Sequence, residues 1–235
     1  MEKREKEYWW HLGRLDIIDA QLEKVKKSMN DKKLKILNIG CGTGGTVATL
    51  EKFGEVYNVD TESLAIKLLK KNGFKNGKVV QGNELPFKEG FFDAIVAMDV
   101  LEHIDAENEA LTEWNRVLAA DGQLLITVPA YAWLWSYHDI ALHHFRRYNK
   151  SQLKVAVEGA RFQIIKRSYM ITFSLPLVVL FRILSNFSKK KGETSYVDLP
   201  QPVNGLFTLL LKVEAKFLKF AGLPFGTSVF VRARK

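Results

Sequence analysis

The sequence predicts an α/β fold in which a parallel β-sheet is covered on both faces by helices. Short apolar segments alternate with segments of helical periodicity between residues 34 and 128, and a glycine-rich turn follows the first apolar segment. Strands separated by helices run parallel, because each crossover returns the chain to the same edge of the sheet. With 235 residues, 47% of them hydrophobic, the chain suits one domain with attachments.

The segment ahead of that domain, residues 1–33, is predicted to be a helical extension. Between Glu5 and Met29, apolar residues recur every three or four positions, which places them on one stripe of a helix. A polar break follows at residues 30–33, and the domain is expected to span residues 34–235. The stripe predicts that the helix packs on this domain.

Inside the domain, apolar runs predict strands and amphipathic runs predict helices. The predicted strands cover residues 34–39, 55–59, 78–81, 92–98, 123–128, 162–169 and 228–233, and the predicted helices cover residues 44–53, 61–72, 107–118 and a short helix from Ser151, its predicted cap, to residue 159. The segment between the last two strands, residues 171–225, is too long for an idle loop and contains two apolar stretches. We expect a helical insertion there.

Cysteine content and charge restrict the location and the partners of the protein. A single cysteine, Cys41, excludes an internal disulfide and a cysteine-based zinc site, which favours a reducing cytoplasm. No uncharged apolar run reaches the roughly 18 residues of a membrane span. Residues 161–235 hold thirteen Lys and Arg against three acidic residues, whereas the rest of the chain has a net charge of −1. This basic third favours an anionic partner, such as a phospholipid surface, or is a solvated surface.

The glycine-rich turn is the strongest single motif. Residues 38–45 are Asn-Ile-Gly-Cys-Gly-Thr-Gly-Gly, and glycines let a ligand lie against main-chain atoms at the carboxyl end of a strand. Asp60 ends the second strand 20 positions after Gly40, where a carboxylate can accept hydrogen bonds from ribose hydroxyls. Because Gly40, Gly42 and Gly45 also satisfy GxGxxG, the turn alone leaves a dinucleotide open.

Further segments follow the turn in a fixed order, and together they carry a family resemblance. They are QGNELPF at 81–87, FDAIVAMDVLEHI at 92–104, and RVL with DGQLLI between 116 and 126. The series resembles the class I S-adenosylmethionine-dependent methyltransferases, within them the small-molecule group of the ubiquinone-biosynthesis methyltransferases. The resemblance implies a Rossmann-like fold with a seven-stranded, mostly parallel sheet whose seventh strand is antiparallel.

The resemblance also implies which residues bind S-adenosylmethionine. In it, Asp60 would hold the ribose hydroxyls, Asn83 would accept a hydrogen bond from the adenine amino group, and Asp99 would lie near the methionine end. A weaker match in the first helix places Arg14 at the carboxylate of the cofactor, and the alternative leaves Arg14 in solvent. The expected cofactor-binding residues are Gly40, Gly42, Gly44, Asp60, Asn83, Asp99 and Arg14.

Methyl transfer to a hydroxyl needs a base, and base candidates cluster after the fifth strand. Three of the five histidines lie within seven positions there, at the edge of the sheet that bears the cofactor site. Histidine titrates near neutral pH and can accept the proton of a hydroxyl. The preferred bases are His138, oriented by Asp139, and His143. The alternative is that these histidines only stabilise a loop.

A divalent metal is a second way to acidify a hydroxyl. The segment Asp-Val-Leu-Glu-His resembles one that holds a metal in some O-methyltransferases. The ligands would be Asp99, Glu102 and His103, with a fourth from His138 or His143. Because Leu-Glu-His-Ile also occurs in metal-free methyltransferases, no metal is assigned.

The sequence therefore predicts a cytoplasmic methyltransferase that O-methylates a hydrophobic or lipid-like small molecule. Its insertion is expected to be a lid that touches an anionic membrane, or alternatively a helical pair packed on the sheet or on another subunit. Two other functions stay open: a non-catalytic cofactor-binding partner or sensor of the same fold, and an RNA methyltransferase. Nucleic acid is less favoured, because no base-reading module is recognisable.

Overall fold

One seven-stranded sheet organises the protein. The computed structural model describes residues 8–82, 84–180 and 200–235. The strands are β1 (Leu34–Ile39), β2 (Gly54–Asp60), β3 (Gly77–Val79), β4 (Phe92–Met98), β5 (Leu118–Pro129), β6 (Gln163–Met170) and β7 (Ser228–Arg234). Their order across the sheet is β3-β2-β1-β4-β5-β7-β6.

Seven helices connect or flank these strands in the described residues. They are α1 (Trp9–Ser28), α2 (Val47–Glu51), α3 (Ser63–Lys71), α4 (Glu107–Val117), α5 (Tyr137–Ala141), α6 (Lys150–Gly159) and α7 (Gln201–Phe217), with single 3₁₀ turns at Leu101–His103 and Ala132–Leu134. Residues 175–180 are also helical.

The strand directions confirm the predicted fold class. Strands β1 to β5 pair in parallel, whereas β7 lies antiparallel between β5 and β6. Strand β6 therefore runs in the same direction as β5. The carboxyl ends of β1, β4, β5 and β6 consequently share one edge of the sheet, which is the edge where open α/β sheets bind ligands.

Alternation along the central strands produces two hydrophobic cores, one on each face of the sheet. Leu37 of β1 belongs to the core that α4 and α6 cover, and its neighbour Ile36 belongs to the core that α1, α2, α3 and α7 cover. Side chains of successive strand residues point to opposite faces, so a strand buried on both faces is mostly apolar. This explains why the central strands were recognisable as continuous apolar runs.

The N-terminal helix packs against the helix of the long segment before β7. Gly13 of α1 lies so close to Leu211 of α7 that a Cβ at residue 13 would lie 2.0 Å from Cδ1 of Leu211. The carboxylate of Glu214, also in α7, accepts hydrogen bonds from the backbone N–H groups of Ile171 and Thr172. The first contact packs α1 against α7, and the second ties α7 to the residues that follow β6.

The cap of α6 differs from the prediction. Asn149, not Ser151, is the N-cap, because its side chain accepts hydrogen bonds from the backbone N–H groups of Ser151 and Gln152. Gln152 in turn accepts from the backbone N–H of Asn149, which completes a capping box.

Candidate functional site

A large cavity opens at the carboxyl edge of the sheet. Its volume is about 690 Å³, which is within the range of small-molecule sites. The lining comes from the turn after β1, the ends of β4 and β5, and residues of α1, α5 and α7. Elements far apart in the sequence therefore build one site.

The glycine-rich turn forms one wall of this cavity. Gly40 and Gly42 line it, and both have left-handed backbone angles, with φ of 67° and 53°. A Cβ on Gly40 would also lie 2.4 Å from the side chain of Val100. The turn thus requires glycine at these positions for its backbone conformation. Gly44 is also left-handed but is not among the lining residues.

Asp60 stabilises the turn from the end of β2. Its carboxylate accepts a hydrogen bond of 2.8 Å from the backbone N–H of Gly42 and one of 3.0 Å from that of Glu62. Asp60 is half-buried and does not itself line the cavity. Asn83, the expected adenine contact, lies outside the described residues.

Arg14 and Asp99 form an ion pair inside the cavity. The guanidinium of Arg14 contacts the carboxylate of Asp99 and stacks over the ring of Trp10, 3.9 Å from its centroid. Only 7% of Arg14 is exposed, so the alternative of a solvent-facing arginine is wrong. The structure brings these two predicted cofactor residues together, from α1 and from the end of β4.

A buried Asp-His-Arg group lies at another part of the cavity wall. Oδ1 of Asp139 lies 3.0 Å from Nδ1 of His144 and 2.7 Å from Nε of Arg147. Oδ2 of Asp139 accepts a hydrogen bond from the backbone N–H of Ser136. Asp139 is fully buried, whereas His144 and Arg147 line the cavity. A histidine held through Nδ1 presents Nε2 as its remaining nitrogen.

The structure does not place His143, one of the two predicted bases, in the cavity. His143 is exposed and absent from the lining, whereas His144 lines the cavity and its side chain is only 7% exposed. His143 has a left-handed φ of 56° just after α5 ends. This reversal turns its neighbour inward and places His144 against Asp139. His138, the other predicted base, does line the cavity.

Glu102 is a buried acid beside these histidines. It is fully buried, and neither carboxylate oxygen has a hydrogen-bond partner among the described residues. Burial raises the pKa of Glu102 to about 8. Burial and the charge of Arg14 lower the pKa of His11 to about 3, so both groups are largely uncharged at pH 7. The cavity thus contains polar groups in their neutral forms.

The structure changes the candidate set of metal ligands. Among the described residues, Glu102, His103 and His144 offer ligand atoms that lie within 4.8 Å of one another. Asp99, which the sequence offered as one candidate ligand, is paired with Arg14. His144 takes the place that the sequence assigned to His138 or His143.

Sequence reasoning missed His144, Trp9 and Phe207 as cavity residues. The run His143-His144 offered a histidine at either position, and periodicity cannot choose between neighbours in a turn. Trp9 and Phe207 lie at the interface of α1 and α7, with ring centroids 5.2 Å apart. That interface joins segments almost 200 residues apart, so no local pattern identifies it.

Comparison with known families confirms the predicted resemblance. Residues 37–126 match the family model of the methyltransferase domain. That range begins in β1 and ends in β5, and it contains the glycine turn, Asp60 and Asp99.

Individual relatives match over similar parts of the chain. The mitochondrial ubiquinone biosynthesis O-methyltransferase of Schizosaccharomyces pombe is 27% identical over 139 residues, which are 51% of this chain and 50% of that protein. The demethylmenaquinone methyltransferase of Staphylococcus aureus is 32% identical over 112 residues, 44% of this chain and 46% of that protein. The chain thus spans about half the length of the curated relatives it matches.

A solved structure extends the likeness of the fold to nearly the whole chain. It is a SAM-dependent methyltransferase from Archaeoglobus fulgidus, with a TM-score of 0.59 and 18% identity, covering 94% of each chain. At this identity the likeness establishes the fold.

Proposed function

Because residues 37–126 match a methyltransferase domain, we propose that the protein is an S-adenosylmethionine-dependent methyltransferase that O-methylates an apolar small molecule. One observation carries the proposal. A single cavity contains the glycine turn and the Arg14–Asp99 pair together with His138 and His144. A methyl donor and its acceptor can therefore meet in one water-excluding space.

The residues present fit an aminoacyl nucleoside. The left-handed turn exposes backbone at Gly40 and Gly42, Asp60 offers carboxylate lone pairs beside it, and Arg14 with Asp99 presents both charges that an amino acid zwitterion needs. When bound, S-adenosylmethionine would supply an electrophilic methyl group for an in-line displacement. The chain itself has to orient the two partners and remove a proton.

The remaining lining of the cavity favours an apolar acceptor. Its walls include rings of α1 and aliphatic and aromatic side chains around α7. They are Trp9, Trp10, Leu177, Val178, Val203 and Phe207. Such walls gain free energy by removing apolar surface from water, so an acceptor with a hydrophobic body is favoured over a sugar or a free amino acid.

The proposed base is His144, with His138 as the second candidate. Asp139 fixes the orientation of the His144 ring and stabilises the imidazolium that forms when the ring accepts the hydroxyl proton. Arg147, bound to the same carboxylate, holds Asp139 in place. Asp139 and Arg147 act as positioning residues in this proposal.

Cofactor binding is tested by calorimetry with S-adenosylmethionine and S-adenosylhomocysteine. We expect both to bind, and Asp60→Asn to weaken binding at least about tenfold through loss of charged hydrogen bonds. Glu62→Gln, an exposed acid two residues away, is the matched control and should bind normally. Absence of binding to the native protein would reject the proposal.

Turnover is tested by transfer of a labelled methyl group to lipid and phenol extracts. His144→Gln should lower the rate about 100-fold or more, the usual contribution of a general base, without changing cofactor affinity. His143→Gln is the control, because His143 is exposed. Loss of the rate only in His138→Gln would transfer the role to His138.

The alternatives give different results in the same assays. A metal at Glu102, His103 and His144 predicts that chelation abolishes turnover and added divalent cation restores it. A non-catalytic partner or sensor binds both nucleosides but labels no acceptor. An RNA methyltransferase labels RNA in preference to the small-molecule extracts.

We also propose that α7 rests on an anionic membrane surface, with the protein in the cytoplasm. Apolar side chains of α7 that are exposed include Leu206, Leu209 and Val213, each more than half exposed, and Lys212 and Lys216 lie among them. An exposed apolar face with interspersed lysines suits an anionic interface. Of the helices that the structure describes, none is long and apolar enough to cross a bilayer.

Vesicle cosedimentation tests this surface. Leu209→Ser with Val213→Ser should reduce binding to anionic vesicles, whereas Leu64→Ser, equally exposed but on α3, should not. Equal binding of the two variants, or no binding of the native protein at low salt, would reject the membrane proposal. The basic residues at positions 182 and 189–191, which belong to the same basic third of the sequence, lie outside the described residues.

A further inference from the structure

A cluster of four basic side chains lies away from the cavity, where α1, α7, β6 and β7 meet. Lys166 of β6 and Arg232 of β7 are cross-strand partners, so they share a face of the sheet. Lys24 of α1 contacts the backbone carbonyl of Lys219, and Lys166 contacts that of Leu218. Both carbonyls follow the end of α7 directly, so the ammonium groups of Lys24 and Lys166 lie close together there. The charges of Arg232 and of Lys219, the fourth member of the cluster, add to burial in lowering the pKa of Lys24, so both are near it.

This cluster is separate from the candidate active site. Arg232 pairs with Leu125 of β5, whereas the cavity reaches Pro129 and Ser228 at the strand ends. Four strand residues correspond to about 13 Å. None of the four basic residues lines the cavity, so ligands of the two sites do not share contacts.

Arg232 is the unusual member of the cluster. It is only 9% exposed, its Nε has no hydrogen-bond partner, and no carboxylate pairs with it in the part of the chain that the structure describes. Burial lowers the pKa of the Arg232 guanidinium, and burial together with the charges of Lys24 and Arg232 lowers the pKa of Lys166. A buried cation without a counter-charge is costly, and neighbouring cations increase that cost.

The neighbouring groups compensate for only part of this charge. Glu23 pairs with Lys219 at 2.7 Å, and the helix-end carbonyls accept from Lys24 and Lys166. Carbonyls at a helix C-terminus carry about half an elementary charge in total. Three positive charges, those of Lys24, Lys166 and Arg232, therefore face one region with less than one negative charge to balance them.

We propose that Lys24, Lys166 and Arg232 form a binding site for the phosphate group of a phosphomonoester or phosphodiester. The guanidinium binds two phosphate oxygens side by side, and the ammonium groups bind as point charges. The phosphate belongs either to a free metabolite or to a lipid headgroup. A lipid headgroup as the source is compatible with the apolar side chain of Phe220, which follows Lys219 and is 90% exposed.

Binding of inorganic phosphate tests the site directly. We expect phosphate to raise the melting temperature of the full chain saturably, above the effect of chloride at equal ionic strength. Arg232→Gln and Lys166→Gln should each weaken the apparent affinity at least about tenfold, the usual effect of losing a hydrogen bond to a charged group. Lys67→Gln, an exposed lysine of α3, is the control and should leave it unchanged.

Vesicles distinguish the two sources of phosphate. Binding to phosphatidate-containing vesicles that Arg232→Gln weakens, with no response to free phosphate, assigns the site to a lipid headgroup. A response to free phosphate that depends on Arg232 assigns it to a metabolite when vesicles do not bind. The proposal is overturned if neither phosphate nor vesicles give a response, or if Arg232→Gln changes neither response. Circular dichroism of each variant establishes that it is folded.

Discussion

The buried carboxyl group of Glu102 predicts that stability depends on pH in an unusual direction. Glu102→Gln replaces the carboxyl group with a neutral group of the same shape. Because neither oxygen of Glu102 has a partner among the described residues, the change removes no hydrogen bond of the carboxylate that the structure shows. The change with pH in the difference in unfolding free energy between the variant and the native protein therefore reports the ionisation of Glu102.

The magnitude follows from the two pKa values. Burial raises the pKa of Glu102 from 4.5 to about 8, so the folded protein keeps the proton that the unfolded chain releases above pH 4.5. The contribution of Glu102 to the unfolding free energy is at its maximum below pH 4.5 and falls as the pH rises towards 8. Each pKa unit is worth about 1.4 kcal/mol, so the native protein loses about 3 kcal/mol through this group between pH 4 and pH 7 and about 5 kcal/mol by pH 9.

Urea unfolding at several pH values measures this effect. Glu102→Gln should gain about 3 kcal/mol relative to the native protein between pH 4 and pH 7. The gain is measured in a chelator, so that no adventitious cation contributes. Glu62→Gln, at an exposed position, controls for removal of a carboxylate. A difference between Glu102→Gln and the native protein that does not change with pH would refute the reasoning.

Two further changes test the ion pair of Asp139 and the contact between α1 and α7. Asp139→Asn leaves the buried guanidinium of Arg147 without its counter-charge and should cost about 3 kcal/mol in urea unfolding. It should also alter the pH profile of turnover, because His144 loses its carboxylate partner, and an unchanged profile would exclude the positioning role. Gly13→Ala should destabilise the protein by about 1–3 kcal/mol in thermal unfolding, because its Cβ would overlap Leu211. Gly205→Ala, a helical glycine facing open space, should instead stabilise it by about 0.5–1 kcal/mol, and equal effects would contradict the α1–α7 contact.

Much of the sheet was predictable because its physical basis is local. Strands β1 and β4 have the predicted bounds, since a strand buried on both faces consists mostly of apolar residues. The glycine turn was predictable for a similar reason: backbone angles available chiefly to glycine leave a direct record in the sequence. Strand β3 is shorter than predicted, and its residues are largely exposed at the edge of the sheet.

The candidate site was predictable only in part. The pattern indicated Gly40 and Gly42, and the resemblance indicated Arg14 and Asp99, but neither gave the ion pair between the last two. The sequence paired Asp139 with His138, whereas the structure places Oδ1 of Asp139 3.0 Å from Nδ1 of His144. The choice between adjacent histidines depends on a single left-handed residue after α5.

The sequence by itself determined the order of the strands and helices along the chain and the position of the glycine-rich turn, because periodicity and glycine placement act over a few residues. Tertiary structure alone decided what surrounds that turn. The contacts of α1 with α7, the inward position of His144 and the convergence of Lys24, Lys166 and Arg232 each join segments that are distant in the chain or differ by one backbone angle. Such contacts depend on the packing of the whole domain, and no short segment of sequence specifies them.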